Sequence, residues 1–138
     1  MKWDLREPCK SCPYRRDTRV GFWHPEEFDN LQAKDRDPIG SVFGCHGTIK
    51  HADPSVCIGW LLDQKRRGLP SLVLRVRLAQ DAEARGCHEE ATDGGHALYD
   101  SIEEMVAANE VLGRCIFCGR YRQEDETCTC PGGQRHRK

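Results

Sequence analysis

The chain has 138 residues, 38% hydrophobic and 31% charged, with a formal net charge of −1. That length suits one domain with a thin core, and the balanced charge excludes a global attraction to nucleic acid. No stretch approaches the ~20 apolar residues of a membrane span, and "MKWDLREPCK" has no apolar run after its lysine, so no membrane partner and a cytoplasmic location are expected.

The first element is a cysteine loop, "EPCKSCPYRR", in which Pro8 and Pro13 stiffen the segment carrying Cys9 and Cys12. "WHPEEFDNLQAK" sets Pro25 at a first helical position, Glu26 and Glu27 in the first turn, and Phe28 and Leu31 on one face, predicting a helix over 25–34. "DRDPIGSVFGCHG" is a Gly/Pro/Asp-rich loop carrying Cys45 and His46. In "DPSVCIGWLLDQKRRG", Asp53 reads as a cap, Pro54 as the first position and Gly68 as the stop, predicting a helix over 54–67 with Cys57 in its first turn.

"PSLVLRVRLAQDAEARG" alternates apolar and polar residues as a strand would, yet Ser71 resembles a cap, the second half is rich in helix formers and Gly86 resembles a stop. Helix is the choice. "GCHEEATDGGHA" has no period and reads as a loop presenting Cys87 as a free thiol beside His88, with His96 nearby. Ser101 and Glu104 form a capping box before Ile102, Met105 and Val106, and Gly113 ends that helix.

Nine cysteines are far above ordinary usage, and thin-cored domains recruit such residues as staples. In a reducing compartment disulfides are disfavoured, and an odd total fits poorly with complete pairing, which leaves metal ligands or redox thiols. A redox dithiol would want its CxxC in a strand–helix context that this sequence lacks. The CxxCG turn of "CIFCGRYRQEDETCTC" points both sulfurs one way, and Cys115, Cys118, Cys128 and Cys130 would complete a closed tetrahedral zinc site with bonds of about 2.3 Å, His136 being the alternative to either of the last two.

Cys9 and Cys12 need partners, and the next cysteines are Cys45 and Cys57. Cys57 at a helix start gains thiolate stability from the macrodipole and free N–H groups. Four thiolates around a divalent ion leave a net charge of about −2, which Arg15 and Arg16, with Lys10, Lys50 and His51, are placed in sequence to offset. Zinc and an iron–sulfur cluster both accept this donor set, and Trp60 with the other aromatics of this half offers either a dry shell. His46, next to Cys45, is expected beside the metal rather than on it. "HEEAT" is not HExxH and no Gly-rich phosphate cradle is visible, so no enzyme activity is expected.

The strings PCxxCPYRRD, GFWHPEEF, FGCHGT and CIGWL, in that order, resemble a cysteine-rich domain family of actinobacteria and their phages, over about residues 7–80. The resemblance implies that Cys9, Cys12, Cys45, His46, Cys57 and Trp60 are its defining positions, and it implies no activity.

The expected fold is a small, α-rich, irregular, metal-stapled domain with a C-terminal zinc-ribbon-like knuckle. Its parts are a four-cysteine metal-binding α unit (1–86), a loop plus helix (87–113), the knuckle (114–131) and a basic disordered tail (132–138). The expected function is a small intracellular adaptor or regulator with structural zinc, binding protein or nucleic acid and possible contacts to the transcription machinery. The alternative is an iron–sulfur redox or gas sensor built on the N-terminal cysteines.

Overall fold

A computed structural model describes residues 1–19, 22, 23 and 25–110. The expected helix stop at Gly113, the knuckle cysteines Cys115, Cys118, Cys128 and Cys130, His136 and the basic tail lie outside the described residues. The described part is helix-rich: α1 Pro25–Arg36, α2 Ile58–Arg67, α3 Leu72–Gln80, α4 Ala82–Glu90 and α5 Ile102–Glu110. No helix among the described residues is long and apolar enough to cross a membrane.

α1 follows its sequence signals, with Glu26 and Glu27 in the first turn and Lys34 and Arg36 in the last, each complementing the helix dipole. α2 starts later than Asp53–Pro54 predicts. Backbone pairing holds Ser55 and Val56 extended, Ser55 beside Lys2 and Val56 beside Gly44. The cap therefore falls on Cys57, whose Sγ accepts the N–H of Trp60 at 3.4 Å. Gly68 closes α2 at φ 77°, a left-handed conformation that a side chain would strain.

The single helix expected over 71–86 is two helices. Asp81 is extended at φ −122° and ψ 112°, its N–H still bonds to Arg77, and its carboxylate accepts from the N–H groups of Glu83 and Ala84. One residue thus ends α3 and caps α4. Nor does Gly86 stop α4, which continues to Glu90. Ala84 and Cys87 anchor it on the core at 0% exposure each, so burial of its inner face overrides the weak propensity of one glycine. Cys87 and His88 are accordingly helical rather than looped. α5 keeps its box in shifted form: Ser101 Oγ accepts from the Glu104 N–H at 3.0 Å, while Glu104 Oε2 accepts from the N–H of Asp100, one residue before the cap, at 3.1 Å.

Among the described residues, three isolated bridges join the non-helical segments: Lys2 with Ser55 (parallel), Gly44 with Val56 (antiparallel) and Arg15 with Leu98 (antiparallel). Around them lies one buried cluster that includes Trp3, Phe28, Trp60, Leu74, Ile102 and Met105. Asp63 of α2 is buried against this cluster and ion-paired to Arg66 and Arg67 one turn on. Its Oδ2 has no hydrogen bond and is held by charge, with Arg67 Nη2 at 2.7 Å, while Arg67 Nη1 reaches Asp35 of α1 at 2.8 Å. Removing Asp63 leaves a hole, strips Arg66 of its carboxylate and leaves Arg67 only the outer Asp35, whereas removing Asp35 leaves Arg67 its inner partner. Asp63→Ala is expected to lower unfolding stability by about 1–3 kcal/mol and Asp35→Ala by under about 1, measured by urea denaturation.

Candidate metal centre

Three segments deliver four sulfurs. The 9–12 turn is closed by the Cys12 N–H on the Cys9 carbonyl at 3.0 Å, and the 45–48 turn by Thr48 N–H on the Cys45 carbonyl at 2.9 Å. The start of α2 supplies Cys57. Cys45 and Cys57 are fixed by one ladder, Cys45 N–H donating to Ser55 at 2.7 Å and Cys57 N–H to Phe43 at 2.8 Å. The first loop is held from the other side, where the N–H groups of Tyr99 and Arg16 bond to the carbonyls of Tyr14 and Ala97 at 3.0 and 2.9 Å.

The side chains converge as a chain of thiol contacts. Cys9 meets both Cys12 and Cys45, and Cys12 also meets Cys57. The end members, Cys45 and Cys57, sense each other only as charge. Contact therefore runs Cys45–Cys9–Cys12–Cys57, and among the described residues no set of three or more His, Cys, Asp or Glu groups is gathered at metal-holding geometry. Cys12, Cys45 and Cys57 are buried and Cys9 is half-buried.

Each sulfur also receives the backbone N–H of the residue two positions on: Ser11 for Cys9, Tyr14 for Cys12, Gly47 for Cys45 and Gly59 for Cys57. Gly47 also serves Cys9, and Trp60 also serves Cys57. Pro13 stands one position after Cys12, where no N–H is required. Such donors stabilise negative charge on sulfur.

The protonation pattern follows the same contacts. Cys9 is held down to about 2 by the thiols of Cys12 and then Cys45, and Cys57 is lowered by Cys12. The donors in those bonds move the opposite way, Cys12 raised by its bonds to Cys57 and Cys9, and Cys45 by its bond to Cys9. Raised and lowered thiols alternate along the chain of contacts.

The other residues singled out in the sequence are dispersed. Arg15 is buried beside the loop, with Nη1 on the Cys9 carbonyl at 3.3 Å and its fork on Asp17 at 2.8 and 2.6 Å. Its charge reaches Cys12 and Cys9. Arg16 points away, bonding the Leu98 carbonyl at 2.9 Å, pairing with Asp100 and Glu104, and covering the Tyr99 ring at 5.0 Å. His46 places Nε2 2.9 Å from Glu27 Oε2 and its ring 3.9 Å from that of Trp23. Trp60 stacks on Phe43 at 5.3 Å and serves the sulfurs through its backbone N–H. Lys10, Lys50 and His51 are exposed. Cys87 stands apart from the quartet, donating to the Leu5 carbonyl at 3.3 Å, with its thiol pushed up by burial.

Sequence reasoning missed Gly59, although it lies within CIGWL. A Cβ there would stand 2.5 Å from Cys12 Sγ and 2.8 Å from Tyr14 Cβ, so only a bare α-carbon lets α2 reach the first loop.

A helix-rich domain whose two cysteine turns and the head of α2 line up four thiols in a chain of pairwise interactions is the class that fold and site define. The chain belongs to a family of unknown function, DUF6283, whose model matches residues 4–115. That span extends past residue 80 to take in all five described helices, and it leaves Cys118, Cys128 and Cys130 outside. Neither a curated protein nor a solved structure matches the chain.

Gly59→Ala is expected to cost about 1–3 kcal/mol, the ordinary penalty of overpacking. Gly47→Ala, whose Cβ would meet Cys45 Sγ at a comfortable 3.6 Å, is expected to be near neutral. Paired denaturation curves of the two variants check the contrast.

Proposed function

We propose that Cys9, Cys12, Cys45 and Cys57 bind one structural zinc ion, and that the protein is an intracellular metal-stapled adaptor without catalytic activity. The supporting observation is the convergence of four soft donors from three segments, each already provided with a backbone N–H that favours the thiolate. A tetrahedral ion with bonds of about 2.3 Å holds its sulfurs about 3.8 Å apart, which is the range of thiol contact. Loading would draw the two ends of the contact chain together and displace the protons on Cys12 and Cys45. Arg15 then offsets part of the negative charge; Arg16 does not. Zinc at Cys115, Cys118, Cys128 and Cys130 is proposed on spacing alone.

The N–H groups also suit an iron–sulfur cluster, the basis of the sensor reading. Contact between the sulfurs favours the single ion, because a cluster interposes iron and sulfide between its thiolates. A protein partner is favoured over nucleic acid, since Arg6, Arg15, Arg16, Arg66 and Arg67 are each engaged by carboxylates of this chain.

Elemental analysis of aerobic and anaerobic preparations is expected to find colourless protein with about two zinc ions per chain. Cys9→Ser or Cys57→Ser should each lose about one of them and destabilise the fold, because metal binding is part of the folding energy. Brown protein absorbing near 400 nm would establish the cluster instead, and variants with native metal content and stability would overturn the ligand set. Because binding must remove thiol protons, zinc affinity should fall as pH is lowered from about 8 to 6, measured by competition with a chromophoric chelator.

A further inference from the structure

α3 is apolar at Leu72, Val73, Leu74, Val76, Leu78 and Ala79, yet only Leu74 is buried. Leu72 and Val76, one turn apart on one side of the helix, are each 43% exposed. Leu69, just before the helix, is 71% exposed, and Ile39, 62% exposed, is tied to α3 by the Val73 N–H on its carbonyl at 3.0 Å. Four large aliphatic side chains therefore face outward around one helix, in a protein whose core is thin. Arg75 and Arg77 stand among them, both exposed and with no ion pair among the described residues, as is Arg36 three residues before Ile39.

We infer that α3 and the adjoining turn at Ile39 form a docking surface for an acidic amphipathic segment of a partner protein. The aliphatic groups offer anchors at helical spacing, and the exposed arginines, without an ion pair among the described residues, supply the complementary charge. A second copy of this chain fits worse, since a symmetric contact would set these arginines against one another. Single-stranded nucleic acid fits worse too, because no aromatic platform stands among Ile39, Leu69, Leu72 and Val76. The inference rests on the adaptor reading for its meaning but not on the metal: it can fail with the zinc content intact, and the reverse.

The test uses the full-length protein and a fluorescein-labelled amphipathic helical peptide carrying Leu on one face and Glu on the other, with a Leu/Lys peptide of the same pattern as control. Anisotropy is expected to show saturable binding of the Leu/Glu peptide only, weakened several-fold when salt is raised from about 50 to 300 mM. Leu72→Ser/Val76→Ser should weaken it about tenfold or more. Arg75→Glu/Arg77→Glu, which alters only exposed residues, should reverse the preference towards Leu/Lys; circular dichroism verifies that both variants are folded. Absence of binding, or binding indifferent to both variants, overturns the inference. So does dimerisation in sedimentation abolished by Leu72→Ser/Val76→Ser, which assigns the face to a second copy. Protection of Leu69 and Leu72 from hydroxyl-radical labelling in the free monomer also overturns it, assigning the face to the chain's own residues 111–138.

Discussion

Backbone hydrogen bonds reach the segment 55–57 from both sides. Val56 donates to Lys2 at 2.8 Å, Cys57 donates to Phe43 at 2.8 Å, and Ser55 accepts from Cys45 at 2.7 Å. The Ser55 hydroxyl adds a bond to Asp4 at 2.6 Å, and its N–H donates to Thr48 Oγ1 at 2.9 Å. Three extended residues thus knit the N-terminus, the 43–48 turn and the head of α2 together, and they fix where two of the four sulfurs stand. Everything placed by α2 inherits that constraint: Gly59 against the first cysteine loop, Trp60 on Phe43, and Asp63 between its arginines. A buried extended segment must satisfy its polar groups, and here it does so with the strands of contact that assemble the thiols.

The sulfur cluster is consistent with the electrostatics around it. Neighbouring thiols shift in opposite directions: Cys9 and Cys57 are lowered, first by the Cys12 thiol and further by two backbone donors each, which favours negative charge on them, while Cys12 and Cys45 are raised. Arg15 is the cation turned towards this charge, and its fork on Asp17 fixes its position. Arg16, its neighbour in sequence, serves the opposite task of tying the first loop to residues 98–104. Two turns meet at Arg15, its N–H on the Cys12 carbonyl and the Thr18 N–H on its own carbonyl, and the chain's change of direction there sends the two side chains to different sides.

What was legible in the sequence is what local chemistry decides. Pro25 with its two glutamates, Gly68, and the Ser101–Glu104 pair act within a turn of themselves, and the structure keeps them. The Asp53–Pro54 start failed because residues 55 and 56 were claimed by partners about ten and fifty positions away, and no window on the local pattern contains those partners. Cys57 escaped notice as a cap because sulfur stands outside the usual oxygen-bearing cap residues. The break at Asp81 was missed, because a lone Asp within a run of helix formers does not by itself outweigh the continuing pattern, and its capping role shows only in the fold. Cys87 was misassigned because its glycine neighbour suggested a stop, while the deciding fact, burial against Leu5, is tertiary. Of the candidate site, the cysteine positions were legible through their spacing and the CIGWL string; the roles of Gly59 and of the N–H donors were not, because they depend on the approach of two distant segments.

Sulfur and aliphatic groups divide the domain unequally. On the side of the first loop, Cys12 and Cys57 are themselves core residues, packed with Tyr14, Val56 and Trp60, so the chemistry of the thiols and the packing of that half are one problem. On the side of α3 and α4, packing is carried by Leu74, Ala84 and the lone Cys87, and most of the aliphatic surface of α3 remains outside. A domain short of apolar residues that leaves Leu69, Leu72 and Val76 in water forgoes core where it could least do without it. That arrangement is coherent if the first half is held by its sulfurs, since the outward face of α3 is then released from internal packing and is available for recognition.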